Sequence, residues 1–329
     1  MQFGGSMKIA IAAYVDNTDI EKFTNECNLM TFSGQSLDSR FTFLIYAHPD
    51  AIHLIDTYDN VKIIPYIVPS DTYYSDYRFA KSLVFVYDGK DHLSDYDFVC
   101  KTDTDVIFTE KMNQLDFNKD KIYVGLGYYT HGPSMTKDMY DLAKKFGYDN
   151  YKRIDNMHST IVCSTSNIIE IMELSDKLCK EMYYGLEEDG EWGKSIWRGH
   201  IGGTSGVCSM YAAEIVISSI YDKENIVVTN TIDAGSSWED DYKDIYHYHC
   251  YHHDFIYSKF QAKFGTYENI QKQSGNSSAA YCINRYIERR DLGKTNPELF
   301  KKPNFTIFPL HDSYLGLDLL SYSFKKEVD

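Results

Sequence analysis

DYDFVCKTDTDVIFT, residues 95–109, decides how the rest of this chain is read. Phe98, Val99 and Cys100 form a short apolar run bounded by charge, the pattern of a strand buried on both faces of a parallel sheet; Val106, Ile107 and Phe108 then resume the apolar character. Between the runs stands Asp103-Thr104-Asp105. Open α/β sheets place ligands at the carboxyl ends of their strands, and two carboxylates there are hard oxygen donors for Mg²⁺ or Mn²⁺. A divalent ion so held binds a diphosphate. The rival reading of such a triplet is a solvated acidic turn, but here the pair interrupts an apolar run and has hydroxyls, Thr102 and Thr104, beside it.

Outward from this stretch, KIAIAAYV (8–15), FTFLIY (41–46) and VKIIPY (61–66) read as strands, with Pro65 marking an end or an edge. Separated by segments of helical length, they predict a mostly parallel, Rossmann-like sheet flanked by helices in a single domain. Small residues near the end of the first strand, Ala12 and Ala13, leave room for a base or ribose, with Tyr14 beside them; no Gly-x-Gly-x-x-Gly follows, which argues against a dinucleotide site. Residues 75–87 read as a helix whose Arg78 and Lys81 share a face, placed to meet phosphate or the two aspartates; a solvated basic edge is the competing reading.

Further strands are expected at 121–128, where Gly125 and Gly127 permit close backbone approach, and at 157–164; helices are expected at 134–146 and 166–183, the latter with Ser166 as N-cap. Residues 185–206 form the longest stretch without periodicity. They carry Trp192 and Trp197 as candidate sugar platforms and Asp189 and Glu191 as candidate bases. The run 207–220 is apolar nearly all round, with Glu214 its one acid and a further catalytic candidate. In IYHYHCYHHD, 245–254, four histidines crowd seven residues, and a strand there puts His247 and His249 on one face; His249 and then His252 are the candidates for a metal ligand.

The bulk numbers narrow the class of partner. With 33 basic and 48 acidic residues the chain carries a formal charge of −15, which repels nucleic acid and anionic membranes. No apolar run approaches the ~20 residues of a membrane span. Seven widely spaced cysteines read as reduced core residues, so a cytoplasmic location is expected. MQFGGS reads as an expression scar ahead of Met7.

Several of these segments carry a resemblance. YRFAKS (77–82) followed by DYDFVCKTDTDV (95–106) resembles the nucleotide-sugar glycosyltransferases of the GT-A fold. EWGKSIWRG, SMYAAEI and HYHCYHHDFIYSKFQAKFGTY, in that order, resemble a poorly characterised GT-A-like family of algae and large viruses. The likeness covers roughly 95–268; earlier strands match only in fold. It implies a nucleotide-binding half (7–105), a metal and acceptor half of the same domain (106–268) and a C-terminal extension (269–329) packing on the core. It also implies that Asp103 and Asp105 engage Mn²⁺ or Mg²⁺ and the sugar-nucleotide, that a late histidine completes the metal's ligands, and that Arg78 and Lys81 occupy matching basic positions. The acceptor would be a glycan, a protein or a small molecule. Metal-bound carboxylates also serve nucleotidyltransferases and phosphoesterases, although the former usually carry a Gly-rich loop that AAYVDNTD lacks, and a non-catalytic sugar- or protein-binding module is the reading outside enzymes.

Overall fold

A computed structural model describes residues 7–127, 133–153, 157–188, 207–250, 257–263 and 265–295. Its elements in chain order are β1 (Ile9–Val15), α1 (Ile20–Ser33), β2 (Phe41–Ala47), α2 (Pro49–Ile52), β3 (Val61–Pro65), α3 (Thr72–Asp76), α4 (Lys81–Asp88), β4 (Phe98–Lys101) and β5 (Val106–Phe108). They continue with β6 (Ile122–Leu126), α5 (Pro133–Lys145), β7 (Met157–Ser164), α6 (Thr165–Glu188), α7 (Cys208–Ile220), β8 (Ile226–Thr229), β9 (His247–His249), α8 (Lys259–Lys263) and α9 (Ser278–Thr295).

The apolar run of β1 has no polar face because it is buried on both sides. Ala10 and Ala12 enter one core layer, with Tyr46, Phe85 and the residues of α6 and α7; Ile9, Ile11, Ala13 and Val15 enter the other, with Cys27 and Met30 of α1. The main sheet has seven strands in the order β3-β2-β1-β4-β7-β6-β8, and all share one direction except β7, which runs antiparallel to both neighbours. The mostly parallel Rossmann-like α/β reading is therefore what the chain adopts. β3 ends at Pro65 on the sheet edge, where a missing N–H costs nothing. A separate two-stranded sheet pairs β5 with β9, and α9 packs beneath it through Cys282, Ile283 and Ile287.

Three local expectations need correction. The single helix expected over 75–87 is broken: Tyr77 leaves helical backbone (φ −118°, ψ 79°) as its ring enters the core, where the Ser209 N–H donates to its hydroxyl at 3.0 Å. α6 starts at Thr165 and runs to Glu188, so Gly185–Glu188 are helical; Ser164, not Ser166, takes the capping position, accepting the Asn167 N–H at 3.4 Å. β8, a four-residue edge strand, was not expected at all. Among the described residues no helix is long and apolar enough to cross a membrane, and all seven cysteines are buried free thiols.

Candidate metal centre

Strand order grows away from β1 on both sides, through β2 on one and β4 on the other, so the crevice between the carboxyl ends of β1 and β4 is the switch point where such sheets take ligands. β4 ends at Lys101, and the Thr102 N–H still donates to Ala12 O of β1 at 3.0 Å. The chain then turns through Asp103-Thr104-Asp105 and straightens into β5. Register does the next step: β5 pairs antiparallel with β9 so that Val106 faces His249, and the Cys250 N–H donates to Asp105 O at 2.8 Å. His249 is thereby delivered beside the aspartates. Its Nε2 lies 3.2 Å from Asp105 Oδ1 and 3.8 Å from Asp103 Oδ2. Asp105 and His249 are each about 5% exposed in their side chains while Asp103 is 34% exposed, so the cluster has a buried floor and one open carboxylate.

The three groups fit a divalent ion. Their ligand atoms all lie within 4.8 Å of one another, and two carboxylates with an imidazole make a donor set that Mn²⁺ accepts readily and Mg²⁺ tolerates. Two ammonium groups complete the charge balance: Lys259 Nζ of α8 is 2.6 Å from Asp105 Oδ2, and Lys101 Nζ is 3.6 Å from Asp103 Oδ1.

The other ring nitrogen of His249 looks inward. Nδ1 lies 3.4 Å from Asp233 Oδ1, 3.1 Å from His158 Nδ1 and 3.4 Å from Ser159 Oγ. Asp233 is the hub of this inner layer: its side chain is wholly buried, it accepts from the Thr160 N–H at 2.9 Å and the Thr160 hydroxyl at 2.7 Å, and His158 and His247 stand 3.4 and 3.8 Å from its oxygens. His247 and His249 do share the face expected of them, and it is the face toward Asp233. Gly125 makes room, since a Cβ there would stand 2.6 Å from Asp233 Oδ2. Asp233 itself sits at φ +57°, a left-handed conformation that non-glycine residues adopt mainly where surrounding contacts hold them. His158, Asp233 and His249 form a second group of metal-ligand type, and it shares one imidazole with the first.

Electrostatics separate the histidines. Burial pushes His249 toward neutrality, but Asp105 and Asp233 outweigh it and raise its pKa to about 10. Burial wins at His158 and His247, which fall to about 4 despite Asp233. Burial also works against ionised Asp105, yet Lys259 and His249 hold it well below the usual carboxylate range. At Glu26, burial and then the Asp105 charge raise the pKa to about 7. A metal ion taking His249 Nε2 would displace a proton from it.

At the end of β1, Lys81 Nζ meets both oxygens of Asp16, at 3.1 and 3.0 Å, and the Tyr14 hydroxyl donates to the same carboxylate at 3.3 Å. Lys81 and Tyr14 are thus brought to the crevice, but onto Asp16. Ala12 is wholly buried within its core layer. Arg78 is exposed, with its guanidinium 5.4 Å from the Phe79 ring centre. Glu214 is buried in α7, where the Tyr151 hydroxyl donates to it at 2.7 Å, a placement in the helical layer. Asp189, Glu191, Trp192, Trp197 and His252 lie outside the described residues.

An α/β protein with a carboxylate–histidine cluster at its topological switch point is what fold and site together define. Residues 5–298 match the family described as "Domain of unknown function (DUF7164)", and the chain belongs to that family. No curated protein matches it.

Proposed function

We propose that this protein is a metal-dependent glycosyltransferase that moves a sugar from a nucleotide-diphosphate donor to a glycan, protein or small-molecule acceptor. One observation carries the reading: His249 Nε2 converges on both carboxylates of Asp103-Thr104-Asp105 at the carboxyl end of β4. Asp103, Asp105 and His249 hold Mn²⁺ or Mg²⁺, which when bound neutralises the charge developing on the departing diphosphate. Asp103, the open carboxylate, faces the donor, and the GT-A-type arrangement suggested by the sequence motifs has its acidic pair in this position. Lys259 balances Asp105 from α8, and Lys81 offers a second cation at the β1 side of the crevice. Tyr14, edge-on to Tyr66 and stacked with Phe85, gives the base side of the crevice an aromatic wall. Asp189 and Glu191 are the candidate bases toward the acceptor, with Trp192 and Trp197 as its platforms. Buried free thiols support a reducing, cytoplasmic setting.

The test is a thermal-shift panel of nucleotide sugars with and without Mn²⁺, followed by calorimetry, because a ligand that binds only the native state raises apparent stability. A Mn²⁺-dependent shift with one donor is expected. Asp105→Ala should remove it while leaving the far-ultraviolet spectrum of the fold intact. Equal donor affinity in the variant would sink the metal assignment.

A further inference from the structure

Three described groups near His249 Nδ1 bear on which ring nitrogen holds its proton. Asp233 Oδ1 at 3.4 Å is an acceptor, His158 Nδ1 at 3.1 Å already accepts the Ser159 N–H at 2.8 Å, and the Ser159 hydroxyl at 3.4 Å can act either way. An imidazole nitrogen facing a buried carboxylate and a second acceptor keeps its proton, which makes the opposite nitrogen, Nε2, facing Asp103 and Asp105, the one that gives up its proton to a metal ion.

We infer that Asp233 is a positioning residue: it fixes His249 in the Nδ1–H tautomer so that Nε2 completes a divalent-metal site with Asp103 and Asp105. The inference rests on the metal site proposed above and assigns the inner trio of His158, Asp233 and His249 to orientation instead of to a second ion. Three features outside the histidine serve this placement. Thr160 grips both Asp233 oxygens, from its N–H at 2.9 Å and its hydroxyl at 2.7 Å, and that hydroxyl is 2.8 Å from the hydroxyl of Thr102, next to Asp103. Gly125 lets the carboxylate approach, and the left-handed backbone at Asp233 turns it inward.

Thr160 also makes Asp233→Asn a directed test. Its N–H is a fixed donor, so the amide oxygen of the variant must take that side, and the NH₂ then occupies the place of Oδ1 facing His249 Nδ1. An N–H there turns Nδ1 into an acceptor and moves the imidazole proton to Nε2, between the histidine and Asp105. Mn²⁺ affinity, measured by calorimetry, should fall by about 10- to 100-fold, the usual effect of removing such a partner. Histidine-selective ¹⁵N spectra should show His249 as Nδ1–H in the Mg²⁺-loaded wild type, with Nε2 bearing the metal, and as Nε2–H in the variant. A purely structural role would change stability without exchanging the tautomer.

Mn²⁺ affinity within about twofold of wild type in Asp233→Asn would overturn the inference. So would wild-type spectra with the metal on Nδ1, which would seat the ion in the inner trio. Should the variant fail to fold, the wild-type spectra alone decide. Asp105→Ala run alongside separates the two levels: unchanged Mn²⁺ binding there defeats the site itself, whereas a loss there with none in Asp233→Asn defeats only the role of Asp233.

Discussion

Lys259 places its ammonium 2.6 Å from Asp105 Oδ2, where the two side chains are only 19% and 5% exposed. Breaking a buried pair from one side strands the remaining charge, typically at a cost of about 3–5 kcal/mol; with His249 still 3.2 Å from Asp105, about 2–3 kcal/mol is expected for Lys259→Met. Urea unfolding measures it, and saturating Mn²⁺ should restore most of the loss, because an ion bound at Asp105 replaces the missing cation. A midpoint that falls equally with and without Mn²⁺ would place Lys259 outside the metal's surroundings. The residues of this site were unequally legible. Asp103 and Asp105 announce themselves by interrupting an apolar run, and His249 by its crowd of neighbours. Asp233 and Lys259 carry no local pattern, since each is a single polar residue brought in by a left-handed turn or a short helix. His158 and Thr160, alternating in MHSTIVCS, were the one weak signal of a polar face on a buried strand.

Helices α3, α4 and α6 meet over a buried carboxyl. Asp176 of α6 accepts the hydroxyls of Tyr74 at 2.7 Å and Tyr87 at 2.8 Å, joining the two pieces of the helix that Tyr77 breaks. Burial, against the two tyrosine hydrogen bonds and Lys180, raises the pKa of Asp176 above its ordinary value. For a raised acid, the stabilising contribution is complete below the unfolded pKa and is lost as pH climbs through the folded one. Asp176→Asn should therefore lose less stability than wild type as pH rises above about 4, even though its NH₂, placed where Oδ1 has no hydrogen-bond partner, costs about 1–3 kcal/mol at every pH. Urea midpoints across that range check the slope, and parallel curves for the two proteins would show that Asp176 does not titrate as described. Elements were legible where burial is two-sided: β1, β2 and β4 are mostly apolar runs, and β7 keeps an apolar stretch at Ile161, Val162 and Cys163. β8 has only four residues, half-buried on an edge, and the break at Tyr77 depends on a tertiary contact with Ser209 that no helical periodicity records.

Across the whole molecule, the two halves anticipated at 7–105 and 106–268 share one sheet, since β4 of the first pairs with β7 of the second, and the candidate carboxylate–histidine cluster draws on both. That sheet sits in a chain of net charge −15. An acidic surface raises the local concentration of divalent cations and lowers that of a nucleotide diphosphate, and both effects decay over a Debye length of about 10 Å at 0.1 M salt. On the proposed function, the anionic donor would meet favourable charge at short range, among the described residues from Lys259, Lys101 and Lys81, and chiefly after the metal has bound. Mn²⁺ affinity should accordingly weaken several-fold as NaCl is raised from about 20 to 300 mM, while donor affinity at saturating Mn²⁺ should weaken less, because screening removes repulsion along with attraction. Calorimetric titrations of Mn²⁺ alone and of donor at saturating Mn²⁺ separate the two slopes. Equal salt dependence would mean that the surface charge is not felt in the crevice, and that metal and donor enter without the order their charges impose.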